Sequence, residues 1–179
     1  MTVSYVCGTL SRMERTANLL GALGLALHDR VATVVAEASG RSVVDSAAVN
    51  AVGHSPGASV GFVATVLGLT HAGAVRVIDR LERDGLLERR DGVDGRTLGL
   101  HLTPAGSRIW RRQLTARARL LDELVAGLPP RDRTALDGLL DQLLDALTTD
   151  VAGAEHTCRL CDERSCPQQA CPVTLAVEP

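Results

Sequence analysis

The chain has 179 residues, of which 45% are hydrophobic and 2% aromatic, and it carries a formal net charge of −2. This composition excludes a wholly disordered chain and is sufficient for one buried core with a small appendage. It also argues against single-stranded nucleic acid as a partner, because few aromatic rings are present to stack on bases.

The N-terminal sequence has no long apolar run behind a positive charge, so we expect no secretory signal. We also expect no membrane span, because no uncharged apolar stretch reaches about 18 residues. The expected compartment is therefore the cytoplasm. In a reducing compartment, clustered cysteines are more often metal ligands or redox groups than structural disulfides.

Apolar periodicity predicts a mainly helical chain with one small β-hairpin. The expected helices, in chain order, are 11–38, 43–52, 60–67, 70–84, 104–127 and 132–150. Between the fourth and fifth helices the period becomes twofold, which predicts strands at 86–90 and 97–103 around a turn at 91–95. The last helix carries a leucine stripe expected to face inward, and no regular structure is expected after Gly153.

The third and fourth helices are separated only by Gly68-Leu69-Thr70, which predicts a helix-turn-helix. The second helix of such a pair can lie in the major groove with its N-terminal residues at base edges. The hairpin that follows is in the correct place for a wing. An arginine at the tip of a wing can enter the narrow minor groove.

Four motifs in and after the fourth helix carry a specific resemblance. Residues 69–90 read LTHAGAVRVIDRLERDGLLERR, residues 94–96 read DGR, and residues 102–106 read LTPAG. This order resembles the MarR-type transcriptional regulators, which have a recognition helix, an RLE-x-x-GL-x-x-R exit, a D-x-R wing and an LT-x-x-G start of the next helix. The matching organisation covers roughly residues 10–150.

The resemblance implies a winged helix-turn-helix protein that acts as a homodimer on double-stranded DNA. The MarR-like domain would span 1–157, with its DNA-reading part at about 43–103 and dimerisation helices at about 11–38 and 104–150. A cysteine-rich segment, 158–179, would follow. The residues implied to contact DNA are Thr70, His71, Ala72, Gly73, Val75, Arg76, Arg80, Arg89, Arg90, Asp94 and Arg96.

Within this set the resemblance implies different roles. Arg96 would enter the minor groove with Asp94 orienting it, and Arg89 or Arg90 would lie near phosphates. The family usually has hydroxyl or larger residues at the positions of residues 73–75. His71 and Arg76, or the shape of the DNA, would therefore carry more of the readout here.

Two arginines of the fourth helix have an alternative explanation. Arg80 and Arg83 either contact phosphates or form surface ion pairs with Asp79, Asp84 or Glu88.

Four cysteines near the C-terminus follow a C-x2-C-x4-C-x4-C pattern: Cys158, Cys161, Cys166 and Cys171. Zinc binds four thiolates tetrahedrally at about 2.3 Å, and an iron–sulfur cluster also takes four. The spacing leaves zinc and an iron–sulfur cluster equally open, with a thiol–disulfide switch and four unrelated surface cysteines as further alternatives.

Three other residues have candidate roles. His156 is either a spare metal ligand or, as we expect, a solvated linker residue. Cys7, near Tyr5, is expected to be an inert thiol. In this family a small-molecule effector can bind between the dimerisation domain and the reading head. Trp110 and His28 are candidates for the wall of that pocket, although Trp110 is more simply a core residue.

The predicted function is sequence-specific transcriptional regulation, with repression the usual mode in this family, under control of a metal, redox state or small ligand. We do not expect an enzyme, since the sequence contains no Ser/His/Asp set, P-loop or glycine-rich nucleotide loop. The alternatives are a thiol- or metal-dependent redox protein and a non-DNA interaction module on the same fold.

Overall fold

The structure, a computed structural model, describes residues 11–91, 98–166 and 168–178. Its helices are α1 (Arg12–Ser39), α2 (Val43–His54), α3 (Val60–Leu67), α4 (His71–Arg83), α5 (Pro104–Ala126), α6 (Pro130–Leu147), α7 (Val151–Thr157) and α8 (Pro172–Leu175). Strands β1 (Leu87–Asp91) and β2 (Leu98–Leu102) pair antiparallel, with Leu87 opposite Leu102. The mainly α fold with a β-hairpin wing is confirmed.

The helix ends follow from local capping chemistry. Ser59 and Thr70 accept hydrogen bonds at the starts of α3 and α4, from the backbone N–H groups of Phe62 and Gly73. Gly68 ends α3 in the left-handed region, at φ 63°, which a residue with a Cβ adopts only at a cost. Because the turn is so short, α3 and α4 meet at 106°, as in other helix-turn-helix pairs.

The core of the reading head, which we define as residues 43–103, lies between α2, α3, α4 and the hairpin. The predicted inner stripe of α4 is buried, with Ile78 and Leu81 fully excluded from solvent. Val49 and Val63 meet this stripe from α2 and α3, and Leu100 closes it from β2. The recognition helix is therefore held by one face, and its other face remains outside.

Thr103, which follows strand β2, joins the hairpin to the end of α4 and to the start of α5. Thr103 donates its hydroxyl to the carbonyl oxygen of Gly85 at 2.7 Å and its N–H to that of Leu86 at 3.1 Å. The same hydroxyl accepts the N–H of Gly106 at 3.1 Å. A Cβ on Gly106 would overlap the carbonyl oxygen of Leu86, so glycine is required there.

The leucine stripe of α6 does not face inward, contrary to the sequence prediction. No residue of this helix is buried in the described chain, and Leu139 and Leu147 are 55% and 77% exposed. Helix α1 is similar over its first half, where Leu19 and Leu23 are also exposed. Within the ranges that the structure describes, no other element covers these exposed leucines.

The expectation of no membrane span needs one qualification. Helix α1 is long and apolar enough to cross a membrane by length and composition, with a mean hydropathy of 1.5 over its most apolar 18 residues. One such helix is weak evidence, because a helix that packs an apolar face against other helices passes the same test. The C-terminal half of α1 does pack in this way, against α5 and α2.

Regular structure continues after Gly153, contrary to the sequence prediction. Asp150 caps α7 by accepting the N–H of Gly153 at 2.7 Å, and this helix packs on α3 of the reading head. The chain then returns through α8, which packs on α6. The C-terminal segment therefore contacts both the reading head and the last long helix.

We predict that Gly106→Ala lowers the free energy of unfolding by about 2–3 kcal/mol or more, because the new methyl group cannot avoid the Leu86 carbonyl. The matched control is Gly138→Ala in α6, where a Cβ has no neighbour within 4 Å. The control should be neutral or stabilising by up to about 1 kcal/mol. Urea unfolding of both variants tests this, and equal stabilities would contradict it.

Candidate DNA-binding surface and cysteine cavity

The N-terminal end of α4 is the most accessible part of the reading head. His71 and Ala72 are exposed, and Arg76 lies one turn further along the same side. Gly73 is half-buried. A Cβ at this position would lie 3.3 Å from the Thr70 hydroxyl oxygen and 3.4 Å from Cβ of Leu69, so there is little room for a side chain. The end of the helix is thus shaped by small residues, which allow close approach to a flat or grooved partner.

Arg80 does not have the surroundings expected from the sequence. Its guanidinium forms an ion pair with Asp45 of α2, whose side chain is 7% exposed, rather than with the acids named for it. Hydrogen bonding to Asp45 raises the pKa of Arg80. This arginine holds α4 against α2 and would have to leave a buried carboxylate to reach a phosphate.

The three acids named as alternative partners of Arg80 and Arg83 bind other arginines. Arg89 pairs with Asp79 at 3.0 Å and also with Glu82. Arg90 pairs with Glu88, and Arg41 with Asp84. Within the described ranges, the exposed arginines Arg76 and Arg83 form no ion pair, so their charge on α4 is uncompensated locally.

The predicted wing tip, including Asp94 and Arg96, lies outside the described residues. So do Cys7 and Tyr5. Strands β1 and β2 lead directly to and from the wing tip. Ala58 and Leu100 form an isolated antiparallel β-bridge, in which the N–H of Leu100 donates to the carbonyl oxygen of Ala58. This bridge holds the base of the wing against the start of α3. A Cβ on Gly99 would lie 2.9 Å from Cα of Gly57, so this contact depends on glycine.

The four C-terminal cysteines line one cavity of about 160 Å³, and all are free thiols. Cys158 and Cys161 form one neighbouring pair and Cys166 and Cys171 another, and in each pair one thiol acts on the pKa of the other. Among the residues that the structure describes, no three His, Cys, Asp or Glu side chains are gathered as a group that could hold one metal ion. Four thiols are the donor chemistry of a metal centre, but the described side chains do not form such a group in the structure.

The charge around the cavity differs between the thiols. A hydrogen bond from Cys158, together with the nearby charges of Arg117 and Arg159, outweighs burial and lowers the pKa of Cys161 to about 6. The same hydrogen bond and burial raise the pKa of Cys158. Arg117 donates to the Cys161 sulfur at 3.7 Å. One member of this pair therefore carries negative charge at neutral pH.

The second pair is also polarised. Burial and the hydrogen bond to Cys171 raise the pKa of Cys166 to about 11. For Cys171, burial opposes ionisation, but hydrogen bonds from Thr174, Cys166 and Val173 outweigh it and lower the pKa. In each pair, therefore, one thiol has a lowered pKa and the other a raised pKa.

The loop that carries Cys158 and Cys161 is attached to α2. The side-chain amide of Asn50 donates to the carbonyl oxygens of Arg159, at 3.2 Å, and of Cys161, at 2.9 Å. His54 contacts the same Cys161 oxygen at 3.1 Å. Sequence reasoning missed Asn50 and His54 entirely, because no motif marks a residue that binds backbone more than 100 positions away.

His156 is not the solvated linker residue that we expected. Its ring Nδ1 lies 3.0 Å from the carbonyl oxygen of Val66 in α3, and its ring approaches Gly68 in the turn of the helix-turn-helix. It therefore acts as a packing contact between α7 and α3. Trp110 packs against the core of the reading head, as the simpler expectation had it, while His28 is exposed on α1.

The helix-turn-helix with its hairpin defines this chain as a winged helix-turn-helix protein. The MarR family model matches residues 39–97, which is nearly the whole reading head. No curated protein matches the chain significantly.

Solved structures agree with the family match. MepR of Staphylococcus aureus, a transcription regulator of a multidrug efflux pump, superposes with a TM-score of 0.64 at 15% identity, over 74% of this chain and 98% of that one. A Mycobacterium tuberculosis protein gives 0.64 at 22% identity, over 79% and 98% of the two chains. PcaV of Streptomyces coelicolor, solved with its natural ligand, gives 0.54 at 26% identity, over 78% and 99%. Residues 39–97 are thus similar to the MarR family, and the chain has the fold of these solved structures.

We predict that Arg80→Ala lowers the free energy of unfolding by about 2 kcal/mol, because it leaves the buried Asp45 carboxylate without its partner. The matched control is Arg83→Ala on the same helix, which should change stability by no more than about 0.5 kcal/mol. Urea unfolding measures both. If Arg80→Ala were as stable as the control, Arg80 would be free for phosphate contact.

We predict that iodoacetamide alkylates Cys161 of the reduced, metal-free protein with a half-maximal rate near pH 6, because only the thiolate reacts. Cys166 should react appreciably only well above neutral pH. Peptide mass spectrometry across a pH series follows each site. Replacing Arg117 with Gln should move the Cys161 midpoint upward, and a midpoint near the ordinary value of about 8.5 in the parent protein would contradict the prediction.

Proposed function

We propose that this protein is a homodimeric repressor of transcription that binds double-stranded DNA sequence-specifically. The observation that carries the proposal is the exposed, small-residue end of α4, whose opposite face is fixed in the core. A rigid helix of this kind can enter a major groove, and its N-terminal dipole favours the negative potential there. The family match of the reading head supports this reading.

The pattern of ion pairs supports a choice among the candidate phosphate contacts. Arg76 and Arg83 on α4 are the strongest candidates, because their charge is not engaged by acids of the described chain. Arg89 and Arg90 already bind acids, so they would add less. Arg96 is proposed as the minor-groove arginine of the wing on the basis of its motif alone.

The exposed apolar faces of α1 and α6 are the reason for proposing a dimer. The first half of α1 and most of α6 leave leucines in solvent, which is costly unless a second chain covers them. A twofold dimer would place two reading heads on one duplex, where half-sites lie about 34–36 Å apart. Binding would occlude a promoter and so repress it, and the expected compartment is the cytoplasm.

A metal centre at the four cysteines is proposed as the element that controls DNA affinity. Cys158, Cys161, Cys166 and Cys171 would be its ligands, supplying four thiolates to zinc or to an iron–sulfur cluster. When bound, the metal supplies positive charge that compensates the thiolates and links segments of the chain that carry them.

A small-molecule effector is a second way to control affinity. A cleft of about 550 Å³ lies between the end of α1 and α5, with Arg111, Arg112 and Arg119 in its wall. Three arginines against the single carboxylate of Glu37 in this wall would suit an anionic ligand. PcaV was solved with its natural ligand, which supports ligand binding as a property available to this fold.

We predict that Arg76→Ala and Arg96→Ala each weaken binding of a duplex enriched from a random-sequence pool by at least tenfold. Each removes a phosphate or groove contact, and the dependence of affinity on salt should become shallower. The charge-matched control is Arg131→Ala in α6, whose side chain is 89% exposed. It should bind the duplex as the parent protein does.

Gel shifts at several salt concentrations measure these effects. If no duplex is enriched from the pool, or if both variants bind as tightly as the control, the proposed DNA-binding function is wrong. The remaining alternatives are then the interaction module and the thiol- or metal-dependent redox protein. Detection of turnover that depends on the cysteines would favour the redox protein.

A further inference from the structure

We infer that His156 is a positioning residue for DNA recognition, although it lies outside the reading head. From helix α7 its side chain holds the turn between α3 and α4 and thereby fixes where the N-terminal end of the recognition helix lies. The inference rests on the proposed DNA-binding function, and it adds a residue that acts on sequence specificity through the protein backbone.

The carboxyl end of α3 takes a hydrogen-bond donor from α7. The last carbonyl groups of a helix have no N–H partner within the helix itself. In the turn, the N–H groups of Gly68 and Leu69 each bind one of these carbonyl oxygens at 3.0 Å. The carbonyl oxygen of Val66 is bound by His156, whose ring Nδ1 lies 3.0 Å away. Because a carbonyl oxygen can only accept, Nδ1 must carry the hydrogen.

The same imidazole ring lies directly over the turn. A Cβ on Gly68 would lie 3.2 Å from both Nδ1 and Cε1 of His156, so there is little room for a side chain beneath the ring. Thr70, two residues later, is the N-cap of α4, and His71 and Ala72 begin the helix. A displacement of the turn therefore displaces the residues that are proposed to face base edges.

Helix α7 is held on both sides of His156. Ala154 is 8% exposed and packs in the small cluster that contains Leu144 of α6. Arg159 donates to the carbonyl oxygen of His156 at 2.7 Å, and its own carbonyl oxygen accepts the Asn50 amide at 3.2 Å. The imidazole is thus presented to the turn by a segment that is anchored on α6 and on α2.

Base contacts and phosphate contacts respond differently to a displaced helix. A hydrogen bond to a base edge requires donor and acceptor within a narrow range of distance and angle. Attraction to phosphates depends on charge and is sequence-independent, so it tolerates a small displacement. Removing the His156 hydrogen bond leaves the arginines of α4 in place. We therefore expect a loss of affinity for the specific sequence, with non-specific binding preserved.

The test uses four variants of the full chain: His156→Ala, His156→Leu, His156→Asn and the matched control Thr157→Ala. Alanine and leucine remove the hydrogen-bond donor, and leucine retains much of the volume of the ring. Asparagine restores a donor, because its amide nitrogen, like Nδ1 of histidine, is bonded to Cγ. Thr157 is an exposed neighbour on the same helix.

Dissociation constants are measured for a duplex enriched from a random-sequence pool and for an unrelated duplex of equal length, at one salt concentration. We expect His156→Ala and His156→Leu to weaken binding of the enriched duplex by about fivefold or more, the effect of one misplaced base-edge hydrogen bond. Their binding of the unrelated duplex should stay within about twofold of the parent. His156→Asn and the control should bind both duplexes as the parent does.

Three results of this comparison would overturn the inference. Equal weakening for both duplexes would mean that His156 only supports folding, because a smaller folded fraction lowers both affinities by the same factor. Unchanged discrimination in His156→Ala would mean that the contact does not position the helix. An asparagine variant that behaves like the leucine variant would mean that the hydrogen bond is not the cause.

Two measurements without DNA test the contact itself. Long-range proton–nitrogen NMR correlation spectra should place the hydrogen of the neutral His156 ring on Nδ1, and the Nε2–H tautomer would contradict the contact. Hydrogen exchange of the Gly68 and Leu69 amides should be about fivefold faster or more in His156→Ala. It should be unchanged in the Thr157→Ala control, and unchanged exchange in His156→Ala would also overturn the inference.

These readouts separate the inference from the proposed function. If no duplex is bound, the proposed DNA-binding function fails, and the ring tautomer and amide exchange still decide whether His156 holds the turn. If His156→Ala loosens the turn and discrimination between the duplexes is unchanged, this inference fails and the DNA-binding function stands.

Discussion

The contact of Thr103 and Gly106 with the Gly85-Leu86 backbone is the constraint on which the rest of the reading head depends. It brings the end of the recognition helix, the base of the wing and the start of α5 within hydrogen-bonding distance of one another. A methyl group at Gly106 is enough to prevent it. The family has a GL motif after the recognition helix, here Gly85-Leu86, and an LT-x-x-G motif at the start of the next helix, here residues 102–106. In this structure the two motifs contact each other.

The chain divides into a head that is complete by itself and long helices that are not. The stripe of α4 finds its partners within the head, so Ile78 and Leu81 are buried in the single chain. The leucines of α6 have the same spacing and remain exposed, because no other part of the described chain covers them. The same periodic pattern therefore predicts an apolar face correctly and leaves open which molecule buries it.

The C-terminal segment connects these two parts. The loop of Cys158 and Cys161 is bound by Asn50 of α2, while Cys171 and Cys158 pack in a small cluster with Leu144 of α6. Buried backbone carbonyls need donors, and Asn50 supplies two donor N–H groups where the loop has no regular structure. This arrangement packs the cysteine segment against α2 and α6, so the cysteine cavity is not a separate appendage.

The sequence alone determined the elements that depend on local chemistry: the helix starts at Ser59 and Thr70, the stop at Gly68, the hairpin and the winged-helix order. Each follows from residues within a few positions of one another. Only the tertiary structure decided that Arg80 binds Asp45, that His156 packs on Val66 and that Asn50 binds the carbonyl oxygen of Cys161. Those contacts join residues 35 to more than 100 positions apart, and side-chain pairing over such distances is set by packing of whole elements, which no local pattern encodes.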